Sequence, residues 1–183
     1  SNVVLTVNPV ATAFAGDSDT ICEGGTYTLS MATATHYSAI NWTTSGTGGF
    51  SSNTAQNPVY TPSAADITAG SVTLTLTATG LTACANAAHS MVLKISRQAT
   101  ADAGPTETVC QNSSITFSGA TALNYSSLAW THDGAGTLNF ANTLAPQYIP
   151  DPAETGTVNL TLTANPLRAC IVATDTRQIL VNE

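Results

Sequence analysis

The sequence predicts an all-β protein made of two tandem antiparallel β-sandwich modules. Three observations carry this. The stretch from Gly70 to Gly80 alternates strictly, with Val72, Leu74, Leu76 and Ala78 on one side and Thr73, Thr75, Thr77 and Thr79 on the other. That is the pattern of a half-buried strand. Gly156 to Asn165 says it again, as Gly-Thr-Val-Asn-Leu-Thr-Leu-Thr-Ala-Asn. Landmark residues also recur at one spacing: Cys22 and Cys110, Gly16 and Gly104, Trp42 and Trp130, Gly46 and Gly134, Gly48 and Gly136, Tyr60 and Tyr148, Pro62 and Pro150 are each 88 apart. After Pro150 the spacing falls to 86, which pairs Val72 with Val158, Leu76 with Leu162 and Cys84 with Cys170.

Each element follows in order, with its mate in the second repeat. Ala11 to Ile21 reads as an irregular edge segment, broken at Gly16 (or Gly104) by a bulge or bend. Cys22-Glu-Gly-Gly and Cys110-Gln-Asn-Ser are turns. Thr26 to Ser30 alternates with Tyr27 and Leu29 inward; Ile115 and Phe117 are the counterparts. Tyr37 to Thr43 carries Ile40 and Trp42 on one face, matched by Leu128 and Trp130. Ser45-Gly-Thr-Gly-Gly and Asp133-Gly-Ala-Gly are glycine-rich turns. The prolines of Asn57-Pro-Val-Tyr-Thr-Pro and Ala145-Pro-Gln-Tyr-Ile-Pro exclude a central strand there. The Thr-rich strand comes next, then a turn through Cys84, then a closing strand from His89 to Ser96. No window shows helical periodicity with caps, so no helix is expected. Short strands separated by turn signals indicate a β-sandwich. Its expected core is Trp42, Tyr60, Leu74 and Leu76 in one module and Trp130, Tyr148, Leu160 and Leu162 in the other. The tyrosine hydroxyls are expected to reach backbone partners.

The repeat assigns 11–97 to the first module and 98–183 to the second. Asn2-Val-Val-Leu-Thr-Val-Asn8 matches Ser90 to Ser96 and Thr176 to Asn182. Residues 1–10 are therefore expected to be the last strand of a preceding repeat plus a linker, and the chain to be a piece of a longer array. The same strand could instead open the following module, or complete the sheet edge of another chain.

Charge narrows the partners. Only 8% of the residues are charged, and the net charge is −7 with Lys94, Arg97, Arg168 and Arg177 as the cations. Phosphate binding needs a clustered basic face, so no nucleic acid is expected. No apolar run approaches about 18 residues, so no membrane insertion is expected in this stretch.

The residues in this order resemble the PKD-like, immunoglobulin-like repeats of giant Bacteroidota surface adhesins. These include gliding-motility-type adhesins and substrates of the type IX secretion system. The features that match are the Gly-rich edge, the Cys-x-Gly turn, Ile40-x-Trp42 with its Gly-x-Gly turn, Asn57-Pro-x-Tyr-x-Pro, the Gly-x-Val-x-Leu-x-Leu strand, a cysteine and a closing strand. The chain departs from ordinary PKD domains in lacking Trp-Asp-Phe-Gly-Asp: it has Trp42-Thr-Thr-Ser-Gly and Trp130-Thr-His-Asp-Gly. The resemblance implies immunoglobulin-like sandwiches that serve as architecture, in an extracellular protein of the bacterial cell surface, with neighbouring repeats as partners.

Each repeat has two cysteines at matching places, Cys22 and Cys84, then Cys110 and Cys170, which read as disulfides in a secreted-looking chain. The periodicity favours Cys22–Cys84 and Cys110–Cys170. In an immunoglobulin topology those positions fall at opposite ends, so bonds between neighbouring repeats are the alternative. A structural zinc site is not indicated, because no Cys-x-x-Cys occurs and no histidine recurs.

Other chemistry is sparse. Asp17, Asp19 and Glu23 could gather around Ca²⁺. Only Asp19 has an acidic mate, Glu107, so such a site is expected in the first module alone, near Asp17 and Asp19. No other cofactor is expected. His36, His89 and His132 fall at unrelated places and read as loop or surface residues. No acid, base and nucleophile cluster, so an enzyme is not expected. Trp42 and Trp130 share strand parity with inward residues and read as core rather than as sugar-stacking platforms. A stalk of a long adhesin or filament is thus the first reading. A glycan- or surface-binding module using Ser45 to Asn57 and Asp133 to Pro146 is the second, and a strand-exchanging fibre subunit the third.

Overall fold

The computed structural model describes residues 7–82 and 84–183. It divides into two compact units, Ser1–Ser96 and Arg97–Glu183, and each is described by itself. The strand expected over residues 2–8 lies outside the described residues as far as residue 6; Val7 and Asn8 belong to no strand.

The first unit contains β1 (Thr12–Phe14), β2 (Asp19–Cys22), β3 (Tyr27–Thr28), β4 (Thr33–Thr35), β5 (Tyr37–Thr44), β6 (Gly49–Phe50), β7 (Val59–Thr61), α1 (Ala64–Ala69), β8 (Ser71–Gly80) and β9 (Ala87–Ser96). The long strands make one layer, in the order β2-β9-β8-β5. In β8, Val72, Leu74, Leu76 and Ala78 are buried and the intervening threonines stay partly exposed. The alternation thus becomes one face on the core and one on solvent. The facing layer comes in two pieces, β3-β7-β6 and the pair β1-β4. Its strands are short for a sequence reason: Pro58 and Pro62 bracket β7 and cannot donate to a ladder.

The chain changes layer between β1 and β2. β1 pairs with β4, whereas β2 runs parallel to β9 in the other layer. Gly16 lies in this crossing at φ +100°, and Gly104 repeats it at +83°, a region that only glycine enters freely. The edge segment is therefore a layer switch. Leu29, Trp42, Tyr60, Leu74, Leu76, Met91 and Leu93, drawn from both layers, form one core. Full burial of each such side chain stabilises by about 1.5–3 kcal/mol.

One expectation is overturned. α1 is a capped helix, with Ser63 and Asp66 forming a reciprocal capping box and Gly70 closing it in the left-handed conformation. At six residues it is too short to show the 3.6-residue periodicity by which helices are read in sequence.

The second unit repeats the architecture with β10 (Thr100–Asp102), β11 (Glu107–Cys110), β12 (Ile115–Thr116), β13 (Thr121–Leu123), β14 (Tyr125–His132), β15 (Thr137–Asn139), β16 (Gln147–Ile149), β17 (Gly156–Pro166) and β18 (Ala173–Asn182). Its layers are β11-β18-β17-β14 opposite β12-β16-β15 and β10-β13. Register is kept as well: Trp42 faces Leu76 across β5 and β8, and Trp130 faces Leu162 across β14 and β17. The two-residue shortening after Pro150 falls where α1 stood. A turn closed by Glu154 N–H donating to the Asp151 carbonyl, 2.9 Å, takes its place. Among the described residues, no helix is long and apolar enough to cross a membrane.

Candidate functional site

The most organised polar group in each module is a tyrosine held to a carboxylate beneath a glycine turn. Tyr60 is fully buried, and its hydroxyl donates to Asp66 Oδ2 at 2.8 Å. Asp66 is 2% exposed and also accepts the backbone N–H groups of Thr47 (2.9 Å), Gly48 (2.9 Å) and Ser63 (3.0 Å). Burial alone would raise its pKa. The hydrogen bonds from Ser63, Thr47, Tyr60 and Gly48 favour the ion and outweigh it, leaving Asp66 below the usual carboxylate range. Tyr60 is pushed up, first by burial and further by Asp66. In the second module Glu154 does this work from the turn. Tyr148 Oη lies 2.9 and 2.8 Å from its two carboxylate oxygens, and Ala135 N–H donates to Oε1 at 2.7 Å. The longer glutamate compensates for the lost helix. The expected backbone partner is present at Tyr148, whose Oη accepts Gly136 N–H at 3.1 Å; in addition each hydroxyl donates to a side-chain carboxylate, a stronger acceptor than a carbonyl.

This lock explains the Gly-x-Gly turns. A β-carbon on Gly46 would collide with the Asp66 carboxylate, and one on Gly134 with Glu154 and Tyr148. Gly48 and Gly136 are blocked in the same way by the lock's own atoms. The glycines recur because in both modules the backbone must pass close over a carboxylate.

A second polar position differs between the modules. Arg177 stands in β18 where Met91 stands in β9, opposite Leu160 and Leu74 respectively. The Arg177 side chain is wholly buried. Its guanidinium lies 4.4 Å over the Phe117 ring, and Nη1 donates to the Ala103 carbonyl at 3.1 Å. Nη2 is 2.7 Å from Glu107 Oε1, an ion pair rather than an aligned hydrogen bond. Two residues earlier, His89 Nδ1 accepts Ala15 N–H at 3.1 Å, and Asp175 Oδ2 accepts Ala103 N–H at 2.7 Å. A histidine and an aspartate hold the same backbone position, which is why the histidine had no visible mate. Reading all three histidines as loop or surface residues is therefore corrected. His36 is exposed in a turn, but His89 and His132 sit half-buried on strands, packed against Phe14 and Tyr148.

Trp42 and Trp130 are 2% and 4% exposed. The loops after them fold back over the rings: Trp42 Nε1–H donates to the Ala55 carbonyl at 3.1 Å, and Trp130 Nε1–H to that of Thr143 at 2.9 Å. Open grooves lie beside them, lined by Trp42, Phe50 and Asn53 in one module and by Trp130, Leu138 and Ala141 in the other. Asp17 and Asp19 are exposed, and Asp19 Oδ1 accepts Thr20 N–H at 2.7 Å. Among the described residues, no three acidic, histidine or cysteine side chains converge as metal ligands.

The cysteines occupy the two poles of each module. Cys22 ends β2 in register with Ser96, the last residue of β9, and Cys110 ends β11 in register with Asn182. Cys84 and Cys170 lie in the turns at the opposite ends of those closing strands. Cys84 Sγ is 3.6 Å from the Asn8 carbonyl and Cys170 Sγ 3.5 Å from that of Arg97. Cys22 and Cys170 are disulfide-bonded, and Cys84 and Cys110 are free thiols. The pairings Cys22–Cys84 and Cys110–Cys170 are thereby corrected, since each would need one of the two free thiols. The reason is length. A ten-residue strand separates the two cysteines of a module and spans about 30 Å at roughly 3.3 Å per residue. A disulfide needs α-carbons within about 7 Å.

Comparison with known proteins places the fold. No family model matches the chain, and no curated protein matches it in sequence. Solved structures do. Immunoglobulin domains 1–4 of Sidekick-1 align with a TM-score of 0.59 at 16% identity, over 97% of this chain and 51% of theirs. The titin I-band fragment I67–I69 aligns at 0.54 and 14%, over 94% of this chain and 66% of that one. The D00–D0 domain of intimin aligns at 0.50 and 12%, over 93% of this chain and 100% of the fragment. The chain thus spans about half the length of the Sidekick-1 fragment. At these identities the likeness is one of fold: immunoglobulin-like sandwiches in tandem.

Proposed function

We propose that the chain is a pair of spacer modules from a long extracellular adhesin or surface filament, forming part of a semi-rigid stalk. One observation carries this reading. In each module the chain enters at one pole and leaves at the other, a full closing strand away. Asn8 and Ser96 mark the poles of the first module, and Arg97 and Asn182 those of the second. Entry and exit at opposite poles suit a module that serves as a spacer. Short seams at Asn8-Pro9-Val10 and Ser96-Arg97-Gln98 support stiffness. The neutral, hydroxyl-rich surface suits a spacer that must avoid sticking to its own copies. The disulfide and the tandem immunoglobulin-like fold support an extracellular or surface location. A bacterial surface, and a Bacteroidota adhesin exported by type IX secretion for gliding or attachment, rest on the residue pattern alone.

Small-angle scattering tests the stalk. A narrow distribution of intermodule distances is expected, and wide, uncorrelated angles between the modules would exclude it. The glycan-binding alternative places its site in the grooves beside Trp42 and Trp130. Specific binding on a glycan array, abolished by substitutions at Phe50 or Leu138, would favour that reading over the spacer.

A further inference from the structure

We propose that the second module carries a binding site for an uncharged saccharide, with Phe140 as its stacking platform and Asn139 and Gln147 as its hydrogen-bonding groups. This rests on the glycan-binding alternative and confines it to one module. The starting point is a difference between two copies that otherwise match. The loop after β6 and the loop after β15 fold back alike: Trp42 N–H donates to the Asn53 carbonyl and Trp130 N–H to that of Ala141, each at 2.7 Å. In the first module the aromatic residue before this loop, Phe50, packs inward, with its ring 5.8 Å from Trp42 and 5.0 Å from Tyr60. In the second module Leu138 takes that inward place, and an aromatic residue follows two positions later. Phe140 is 68% exposed and has φ +54°. Its counterpart, Ser52, has no positive φ, whereas His36 and Asn124 share theirs and Asn112 matches Gly24. Left-handed backbone is costly for a bulky side chain, and exposure forgoes its burial. The first module makes the same loop with serine, so the fold gains nothing from phenylalanine here.

Phe140 directly follows β15, the edge strand of its layer. An open groove of about 500 Å³ runs between β15 and β14, the edge strand of the facing layer, a size within the range of small-ligand sites. Thr131, Thr137 and Ala141 line it, and its lining holds no carboxylate and no lysine or arginine. Between β15 and β16, Asn139 Nδ2 donates to Gln147 Oε1 at 3.3 Å, and Gln147 Nε2 to Ser114 Oγ at 3.4 Å. Ser51 and Val59 hold the equivalent places in the first module, so the amide row, like the exposed ring, belongs to the second alone. Asp133 and Glu154, the carboxylates closest in the chain, are engaged by Asn159 and Tyr148. The composition selects the ligand. The negative face of an aromatic ring attracts the polarised C–H groups of a sugar. A carboxamide offers donors and an acceptor together, the complement of adjacent hydroxyls. Nothing in the groove matches an anion or a metal ion.

The full chain tests this on an array of neutral and acidic glycans, with the hits titrated by calorimetry. Uncharged saccharides are expected to bind. Phe140→Ser, which restores the first module's residue, should weaken binding about tenfold, the upper range of a ring contact. Asn139→Ser should weaken it as well. Phe140→Gly should lose binding while leaving the thermal midpoint undiminished, because glycine accepts the left-handed backbone. The proposal is overturned if Phe140→Ser binds as tightly as the parent, if only acidic glycans bind, or if none binds. The first two outcomes leave the glycan-binding reading standing with its site elsewhere. The last rejects that reading too and leaves the spacer.

Discussion

Gly46 and Gly134 pass so close over a carboxylate, Asp66 or Glu154, that a single methyl group cannot be added without moving it. Gly46→Ala and Gly134→Ala are each expected to cost more than about 2 kcal/mol, the range reserved for strain against a packed core. Gly49 lies in the same turn with nothing within 4 Å of its missing β-carbon, and its φ is not positive. Gly49→Ala should stay within about 0.5 kcal/mol. Equilibrium denaturation of the three variants gives the contrast, and equal losses would show that the turn is merely intolerant of alanine. The tyrosine is the other partner. Tyr60→Phe removes one donor from a carboxylate that keeps three backbone N–H groups, and should cost about 2 kcal/mol, typical of a hydrogen bond to a charged group. An unchanged denaturation midpoint would show that the backbone donors alone hold Asp66.

At the level of elements, the lock makes the link between β7, α1 and the glycine turn pH-dependent, and the sign follows from the shifts. Asp66 is lowered in the folded state, so its contribution is present above the unfolded pKa of about 3.9 and is lost as pH falls through the folded value. Tyr60 and Tyr148 are raised, so theirs is present below about 10 and lost as pH rises through the folded values. Thermal midpoints should be flat near neutrality and fall at both extremes. Tyr60→Phe should blunt the alkaline fall of the first module, and an alkaline limb unaffected by it would remove the tyrosine from the account. β18 offers a different contest. Arg177 sits where the first module has Met91, with its partner Glu107 a quarter exposed. A buried ion pair is often matched by an apolar replacement, whereas stripping one charge leaves the other unpaired. Arg177→Met should therefore stay within about 1 kcal/mol of the parent, and Glu107→Gln should cost about 1–2 kcal/mol, discounted for that exposure. The reverse order in denaturant unfolding would mean that the guanidinium is held by Phe117 and the Ala103 carbonyl and not by Glu107.

At the scale of the whole molecule, the four cysteines fall into two states: Cys22 and Cys170 are disulfide-bonded, and Cys84 and Cys110 are free thiols. Alkylation of the unreduced chain followed by mass spectrometry is expected to label Cys84 and Cys110 and to spare Cys22 and Cys170. Reduction, or the double variant Cys22→Ser/Cys170→Ser, should leave each sandwich folded by circular dichroism. Loss of either sandwich on reduction would show that folding itself depends on the disulfide.

The alternation of Val72, Leu74 and Leu76, its echo at Val158, Leu160 and Leu162, and the even spacing of Trp42 and Trp130 were enough to read the strands, the two modules and their sandwich class. Those are properties of neighbouring residues and of a pattern stated twice. The capped helix was invisible because six residues hold too little periodicity. Asp66 and Glu154 were overlooked because they differ in type, as were Arg177 and Met91, so comparison of the repeats hid the positions that do the same work. The cysteines show the division most clearly. Their period was plain in the sequence and suggested one bond within each module. Only the tertiary structure revealed that a parallel strand pairing carries Cys22 to one end of β9 while the turn leaves Cys84 at the other. A ten-residue strand cannot bend its ends together, so the cysteines of one module cannot meet.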